Sequence, residues 1–393
     1  MGFLGFQSLG GAVLPRADSG VEPLRWSDPR TWQGRLPGPD DIVHVPAGHM
    51  LLVDIDLDVA AIEVHGALHF DARDLRIRTG WMLAAAGGVI RAGDPDRPHT
   101  HRLTITLRDS IANSRYSDLG AKFLAAVDGG TIDLCGQRRI GWSVLADSVF
   151  PGGVVLKLAA AVDWRVGERI VIASGGAELP LAEERTVAAL SSDRQRVTLD
   201  RPLAHRHLGR NAPVQGALPG TIGKAALLSR DLIVEGDERS EVSSIGAHCL
   251  IAPAISASCT GRASQGRFIG VEFRRVGQFN QPGRYPLHWR NNAGGAPSVA
   301  IDCVVHRSFQ RGVVVLGSDP VRLQGNVVYR PLGHGFIVDR ADDSRMLLTS
   351  NLAIRPRTVR FADPGMRMLC EHRPRAIWFA QATGPRTLGQ PLR

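Results

Sequence analysis

Three short segments near the end of the chain recur at nearly constant spacing, and they restrict the fold more than any other feature. Aligning Cys303-Val304-Val305, Asn326-Val327-Val328 and Asn351-Leu352-Ala353 gives steps of 23 and 25 residues. Turns of roughly 20–25 residues, each stacking its strands on the last, are those of a right-handed parallel β-helix. Apolar runs at 268–273, 299–305, 321–328 and 346–354, each followed by a polar turn, fit the same repeat. Asn326 and Asn351 then share one turn position, where asparagine tolerates left-handed backbone and can hydrogen-bond the neighbouring rung.

The first third of the chain has a different periodicity. Val53, Ile55, Leu57 and Val59 alternate with Asp54, Asp56 and Asp58, and Leu103, Ile105 and Leu107 alternate with Thr104 and Thr106. Period two means half-buried strands. Turn signals such as Leu36-Pro37-Gly38-Pro39-Asp40 and Gly87-Gly88 punctuate them at short intervals. A middle block, about 144–210, also reads as strands, and no convincing amphipathic helix occurs. The expected class is all-β, with strands of this spacing fitting a sandwich or a solenoid.

Composition narrows the partners. With 393 residues, 44% of them hydrophobic, the chain is long enough for a large core and is not a disordered polymer. No run approaches the ~18 apolar residues of a membrane helix. A formal charge of +9 invites a polyanion. Only Lys122, Lys157 and Lys224 are lysines, the arginines are scattered without a dense cluster, and nucleic acid is therefore not the expected partner. Cys135, Cys249, Cys259, Cys303 and Cys370 lie far apart, so neither a zinc ribbon nor a disulfide framework is expected. No phosphate-binding G-x-x-x-x-G-K-[ST] loop and no G-x-S-x-G elbow is present. Residues 1–20 lack the basic start of an export signal.

Several motifs, in one order, carry a family likeness. Trp26 and Trp32 precede Gly34, Gly38, Gly48, Gly66, Gly80, Gly87, Gly88 and Gly93 at strand ends. This set resembles the eight-glycine domain of the cell-migration-inducing hyaluronan-binding protein, the transmembrane cell-surface hyaluronidase and fibrocystin. Each glycine is expected where a turn needs positive φ or a bare backbone. Trp164-x-x-Gly167-Glu168, Leu227-Leu228-Ser229-Arg230-Asp231-Leu232, Gly283-Arg284-Tyr285-Pro286-Leu287-His288, His306-Arg307-Ser308 and Leu332-Gly333-His334-Gly335-Phe336 resemble the same family. The organisation implied is an eight-glycine β domain over 24–145, a connecting β region over 146–215, parallel β-helix rungs over 216–372, and a tail or cap over 373–393.

The resemblance implies an extracellular or cell-surface protein directed at hyaluronan or another acidic polysaccharide, with a hyaluronidase-like glycosidase as the activity and a non-catalytic glycan-binding or adhesion scaffold as the competitor. Its candidate site gathers three histidine motifs on successive rungs. His288, His334, Asp339 and Asp302 are the candidates for acid/base and carboxylate roles. Arg284, Tyr285, Arg290, His306, Arg311 and Arg340 are the candidates for lining a saccharide groove, through bidentate arginine contacts to uronate carboxylates. His288, His306 and His334 could together hold a divalent metal, calcium or zinc. A lyase remains open, since arginines could neutralise a uronate carboxylate. The family's second histidine after Tyr-Pro is Arg290 here and its second acid after the third motif is Arg340, which weakens a metal site and strengthens anion binding.

Two weaker features complete the candidates. Asp54, Asp56 and Asp58 offer three carboxylates on one strand face, expected as a solvated face rather than a calcium loop. The His205-Arg206-His207 loop resembles a family loop, and Asp342-Asp343 reads as a rung turn.

Overall fold

The computed structural model describes residues 23–173, 181–212, 222–319, 321–339 and 346–358, with the backbone of the strands Ile377–Ala380 and Leu388–Gly389. Arg340, Asp342, Asp343, Cys370 and nearly all of the tail lie outside the described residues.

Three parallel sheets wrap one core as a right-handed β-helix. The chain visits sheet C, then sheet A, then sheet B, and returns to C one rung higher. A first complete circuit is Leu57–Val59, Ala61–Val64 and Ala67–Phe70. A late one is Val304–Ser308, Val313–Leu316 and Val321–Gln324. Alternation decides which side chains go in: Leu103, Ile105 and Leu107 are buried in the core, while Thr104 and Thr106 point outward from sheet C. At the N-terminal end Trp26 and Trp32 close the apolar column, their rings 4.9 Å apart, with Trp32 Nε1 donating to Trp26 O at 2.8 Å.

The eight-glycine segment builds the first rungs of this solenoid, and sheets A, B and C continue from it into the later rungs. Its glycines serve both expected purposes. Gly87 has φ +84°, a left-handed corner. Gly66 and Gly88 do not; a Cβ there would lie 2.3 Å from Pro46 O and 2.0 Å from Val64 O, so the rung below excludes any side chain. Asp54 and Asp56 precede their strand rather than sharing its face. Asp54 accepts from Ser27, Asp56 from the Arg76 N–H, and Asp58 pairs with Arg78 and Arg108, so the three acids are spent on separate partners.

Between the sheet-B strand Thr131–Cys135 and the sheet-C strand Leu232–Gly236 the chain leaves the solenoid and forms a six-stranded antiparallel sheet, spanning Trp142 to Leu227. Its own core contains Trp164, Ile170 and Leu227. Its other face, with Val171, Ala226 and Leu228, packs on the outside of sheet C against Val304, Val327 and Tyr329. The His205–His207 loop belongs to this insert. His207 is fully buried and donates from Nε2 to Glu183 at 3.0 Å, and Glu183 also accepts the N–H groups of Ala204 and His205. That loop is a structural clasp.

Candidate functional site

The predicted motifs are placed by the sheet each occupies. His288 projects outward from the sheet-A strand Leu287–Arg290, because its neighbours Leu287 and Trp289 enter the core. Its Nδ1–H donates to Gly283 O at 2.9 Å, which leaves Nε2 as the basic nitrogen. That nitrogen is buried without a partner, and burial pushes the imidazole down to about 3. Tyr285 meets it edge-on at 4.9 Å, and the Arg311 guanidinium lies 5.6 Å from the Tyr285 ring. Tyr285, His288 and Arg311 are thus brought together, with His288 only 1% exposed.

The two flanking arginines are spent on other partners. Arg284 turns to Gln278 Oε1, and Arg290 donates to the carbonyls of Ala254 and Ile255. Asp339 shares the ladder of Arg290, with Leu316 between them. His334 sits buried at the corner before Phe336. His306 belongs to another sheet: it projects from sheet C and donates from Nε2 to Glu272 Oε1 at 2.9 Å. Asp302 occupies the corner between sheets B and C, paired with Arg138 at 2.8 Å, beside a cavity of about 450 Å³ lined by Arg139, Trp142 and Asp163. The expectation that His288, His306 and His334 form one metal-binding set is corrected here: His306 leaves from sheet C and is bonded to Glu272, while His288 leaves from sheet A. Among the described residues these imidazoles do not cluster.

A strongly charged concavity lies elsewhere, on the outer face of sheet C. A cavity of about 500 Å³ is lined by six arginines, Arg76, Arg78, Arg102, Arg169, Arg230 and Arg274, against two glutamates, Glu235 and Glu272. Two outward ladders make its floor. One runs Arg76, Thr104, Ile233, Glu272; the other runs Arg78, Thr106, Glu235, Arg274, His306. Successive members step by one inter-strand spacing, roughly 4.8 Å. The insert supplies a wall through Gly167, Arg169, Ser229 and Arg230, residues within or beside two of the family-like motifs.

The electrostatics of the floor follow from burial. Glu272 is 1% exposed; burial alone would raise its carboxyl, but the His306 hydrogen bond and the charges of Arg274 and Arg169 outweigh that and hold it at about 2. Burial depresses the His306 imidazole, with Glu272 opposing. Glu235 accepts from Thr106 at 3.0 Å and pairs with Arg274 and with Arg275. These anions anchor Arg169 and Arg274 in place. Arg76 and Arg102, by contrast, are exposed and have no ion pair among the described residues. Fixed floor cations and free rim cations suit a polyanion that lies across several rungs.

The groove leaves little trace in the sequence. Its arginines are contributed by strands separated by the whole insert, although the Leu75-Arg76-Ile77-Arg78-Thr79 alternation does mark an outward basic face.

Comparison with known proteins agrees with this architecture. Residues 31–146 match the family model of the G8 domain, and residues 245–378 match that of the CEMIP beta-helix. Human fibrocystin-L is 27% identical over 366 residues, covering 84% of this chain and 9% of that protein. Communication mutant protein F of Dictyostelium discoideum is 26% identical over 352 residues, covering 85% of this chain and 30% of its own length. The chain therefore spans under a third of these relatives. Among solved structures, the tailspike protein gp49 of Pseudomonas phage LKA1 gives a TM-score of 0.20 at 12% identity, covering 79% of this chain and 45% of that one. The Gp54 tailspike of Acinetobacter baumannii bacteriophage AP22, solved with a capsular saccharide, gives 0.23 at 10%, covering 85% and 58%.

Proposed function

We propose that this chain, which belongs to the family joining a G8 domain to a CEMIP-type β-helix, binds an acidic polysaccharide along the outer face of sheet C, with hyaluronan as the ligand the family likeness implies. The observation that carries this is the gathering of six arginines from several rungs and the insert around one cavity, two of them unpaired among the described residues. A uronate-bearing chain laid along the solenoid axis would place carboxylates against Arg76, Arg78 and Arg102, while its neutral sugars pass over Thr104 and Thr106. Such polymers are found outside cells, and the reading accordingly puts the protein outside the cell or at its surface. Among the described residues no helix is long and apolar enough to cross a membrane.

Binding is favoured over cleavage by the state of the acids. Glycosidic hydrolysis needs a carboxylic acid that stays protonated near neutral pH and a second carboxylate across the scissile bond. Glu272 is instead held ionised and buried beneath its arginines. Asp302, at the corner between sheets B and C, lies on a different side of the solenoid from His288 and Asp339 on sheet A.

The test is retention of the purified chain on immobilised high-molecular-weight hyaluronan, with neutral dextran as control, and with the length distribution of free hyaluronan followed in parallel. Salt-sensitive retention that weakens in Arg76→Ser and Arg102→Ser, with hyaluronan length unchanged, supports a binding protein. Shortening of the chains would replace that reading with a depolymerase. Failure to be retained at low ionic strength would sink both glycan readings.

A further inference from the structure

On the outer face of sheet A, at the N-terminal end of the solenoid, a second cluster is built by the first two strands of that sheet. His44 lies on the strand Ile42–Val45 and is in register with Glu63 on Ala61–Val64. His65 follows Glu63 by two residues and so returns to the same face. Its backbone N–H donates to Val45 O at 2.8 Å, which fixes the ring beside the neighbouring rung. One ligand-type atom from each of the three side chains lies within 4.8 Å of the others. His65 Nε2 is 3.1 Å from Glu63 Oε1, and the two imidazole rings meet edge-on at 4.8 Å.

We propose that His44, Glu63 and His65 form a binding site for a divalent transition-metal ion, zinc by the chemistry of the donors. Two imidazole nitrogens and one carboxylate oxygen are a three-ligand zinc set that leaves a fourth position to water. Calcium and magnesium, which prefer oxygen donors, fit it poorly. Tetrahedral ligands at roughly 2.0–2.1 Å from zinc stand about 3.4 Å apart. The His65–Glu63 pair already has nearly that separation, and the widest gap closes by rotation of half-exposed rings.

Two further features would hold the carboxylate in place for a metal ion. Glu63 is buried, and its second oxygen is taken by Arg115 at 2.9 Å, which orients the first toward the histidines. Outer-shell bonds of this kind position ligating carboxylates. The clamp is carried by the long corner of residues 108–122, which also seats Tyr116 edge-on against Trp81 at 5.3 Å. The site is therefore open on the imidazole side and walled on the other.

The experiment uses the whole chain, freed of any histidine tag and stripped with chelator, then titrated with cobalt(II) chloride and back-titrated with zinc chloride. The expected result is one cobalt per chain with the strong visible bands of four-coordinate cobalt, bleached by zinc and absent in His44→Ala and His65→Ala. Arg115→Ala should retain the spectrum with affinity lowered roughly 10- to 100-fold. Because His44 lies on a strand, His65→Gln at the exposed corner serves as the variant least able to disturb folding, with its metal-free melting curve checked against the parent. Absence of the bands in the parent, or bands that survive the histidine substitutions, would overturn the assignment and leave the His65–Glu63 hydrogen bond alone.

Discussion

The side-chain oxygen of Asn351 accepts two hydrogen bonds from Asn326 one rung below, from the backbone N–H at 3.0 Å and from Nδ2 at 2.9 Å. Asn326 repeats the pattern downward, its Oδ1 accepting the Cys303 N–H at 3.0 Å. Both asparagines are buried, so this short ladder replaces water for main-chain groups at the corner where sheet B passes into sheet C. Replacing Asn351 with alanine strands two buried donors at about 1–3 kcal/mol each. Asn351→Ala is expected to lower the urea midpoint with an unchanged m-value; an unaltered midpoint would mean water enters the corner freely.

That corner explains why the solenoid was legible in the sequence where it was. After Asp302, Gly325 and Ser350, each with φ between 54° and 67°, the next strand starts almost at once, so the rung length stays nearly constant. The left-handed residue is the one before Cys303, Asn326 and Asn351 rather than the asparagine itself; the asparagines were selected for their amides. Earlier rungs hide the period because their corners vary from the single residue Ala60 to the whole insert. The site was less legible for a geometric reason. Sequence spacing of one rung does not make residues neighbours: His288 and His306 leave the helix from different sheets, while Arg78 and Arg274, nearly two hundred residues apart, share one ladder.

A second prediction concerns Lys122, whose side chain is 1% exposed and whose Nζ pairs with Asp237 at 2.8 Å and Asp109 at 3.4 Å. Removing the acid and removing the base are not equivalent. Asp237→Ala leaves a buried ammonium and is expected to cost about 3–5 kcal/mol. Lys122→Met leaves Asp109, half exposed, free to hydrate, and Asp237, 14% exposed, still holding the Ser240 hydroxyl as a donor, and should cost less. The double variant should lose less than the two separate losses combined. Equal and additive effects in denaturant unfolding would refute the coupling.

Acid sensitivity follows from His248 and His288. Burial depresses both from 6.5 to about 3. Between those values the unfolded chain binds protons that the folded chain refuses, so stability rises with pH across the window and is lost as acid is added. The slope is at most about 1.4 kcal/mol per pH unit for each group. Glu272, lowered from 4.5 to about 2, adds a further loss as pH falls through that lower range. The melting temperature should therefore be flat above about pH 7 and decline below 6.5, with a shallower decline in His288→Gln. A variant with the parent slope would show that solvent already reaches this imidazole.

The groove offers the sharpest separation between holding the fold and holding a ligand. Arg76 and Arg102 are exposed and unpaired among the described residues, so Arg76→Ser and Arg102→Ser should leave stability within about 0.5 kcal/mol. Retention on hyaluronan should nevertheless weaken and become less steeply dependent on salt, since fewer counterions are exchanged at the rim. Arg169 has the opposite profile. Its Nη2 donates to Glu272 Oε1 at 3.0 Å, and that carboxylate is buried beneath it. Arg169→Ser removes one of the cations that keep Glu272 ionised, and it should lower the melting temperature as well as retention. If the rim substitutions destabilise the chain as much as Arg169→Ser does, the rim arginines are structural, and the retention they change could not be assigned to direct contact with the polysaccharide.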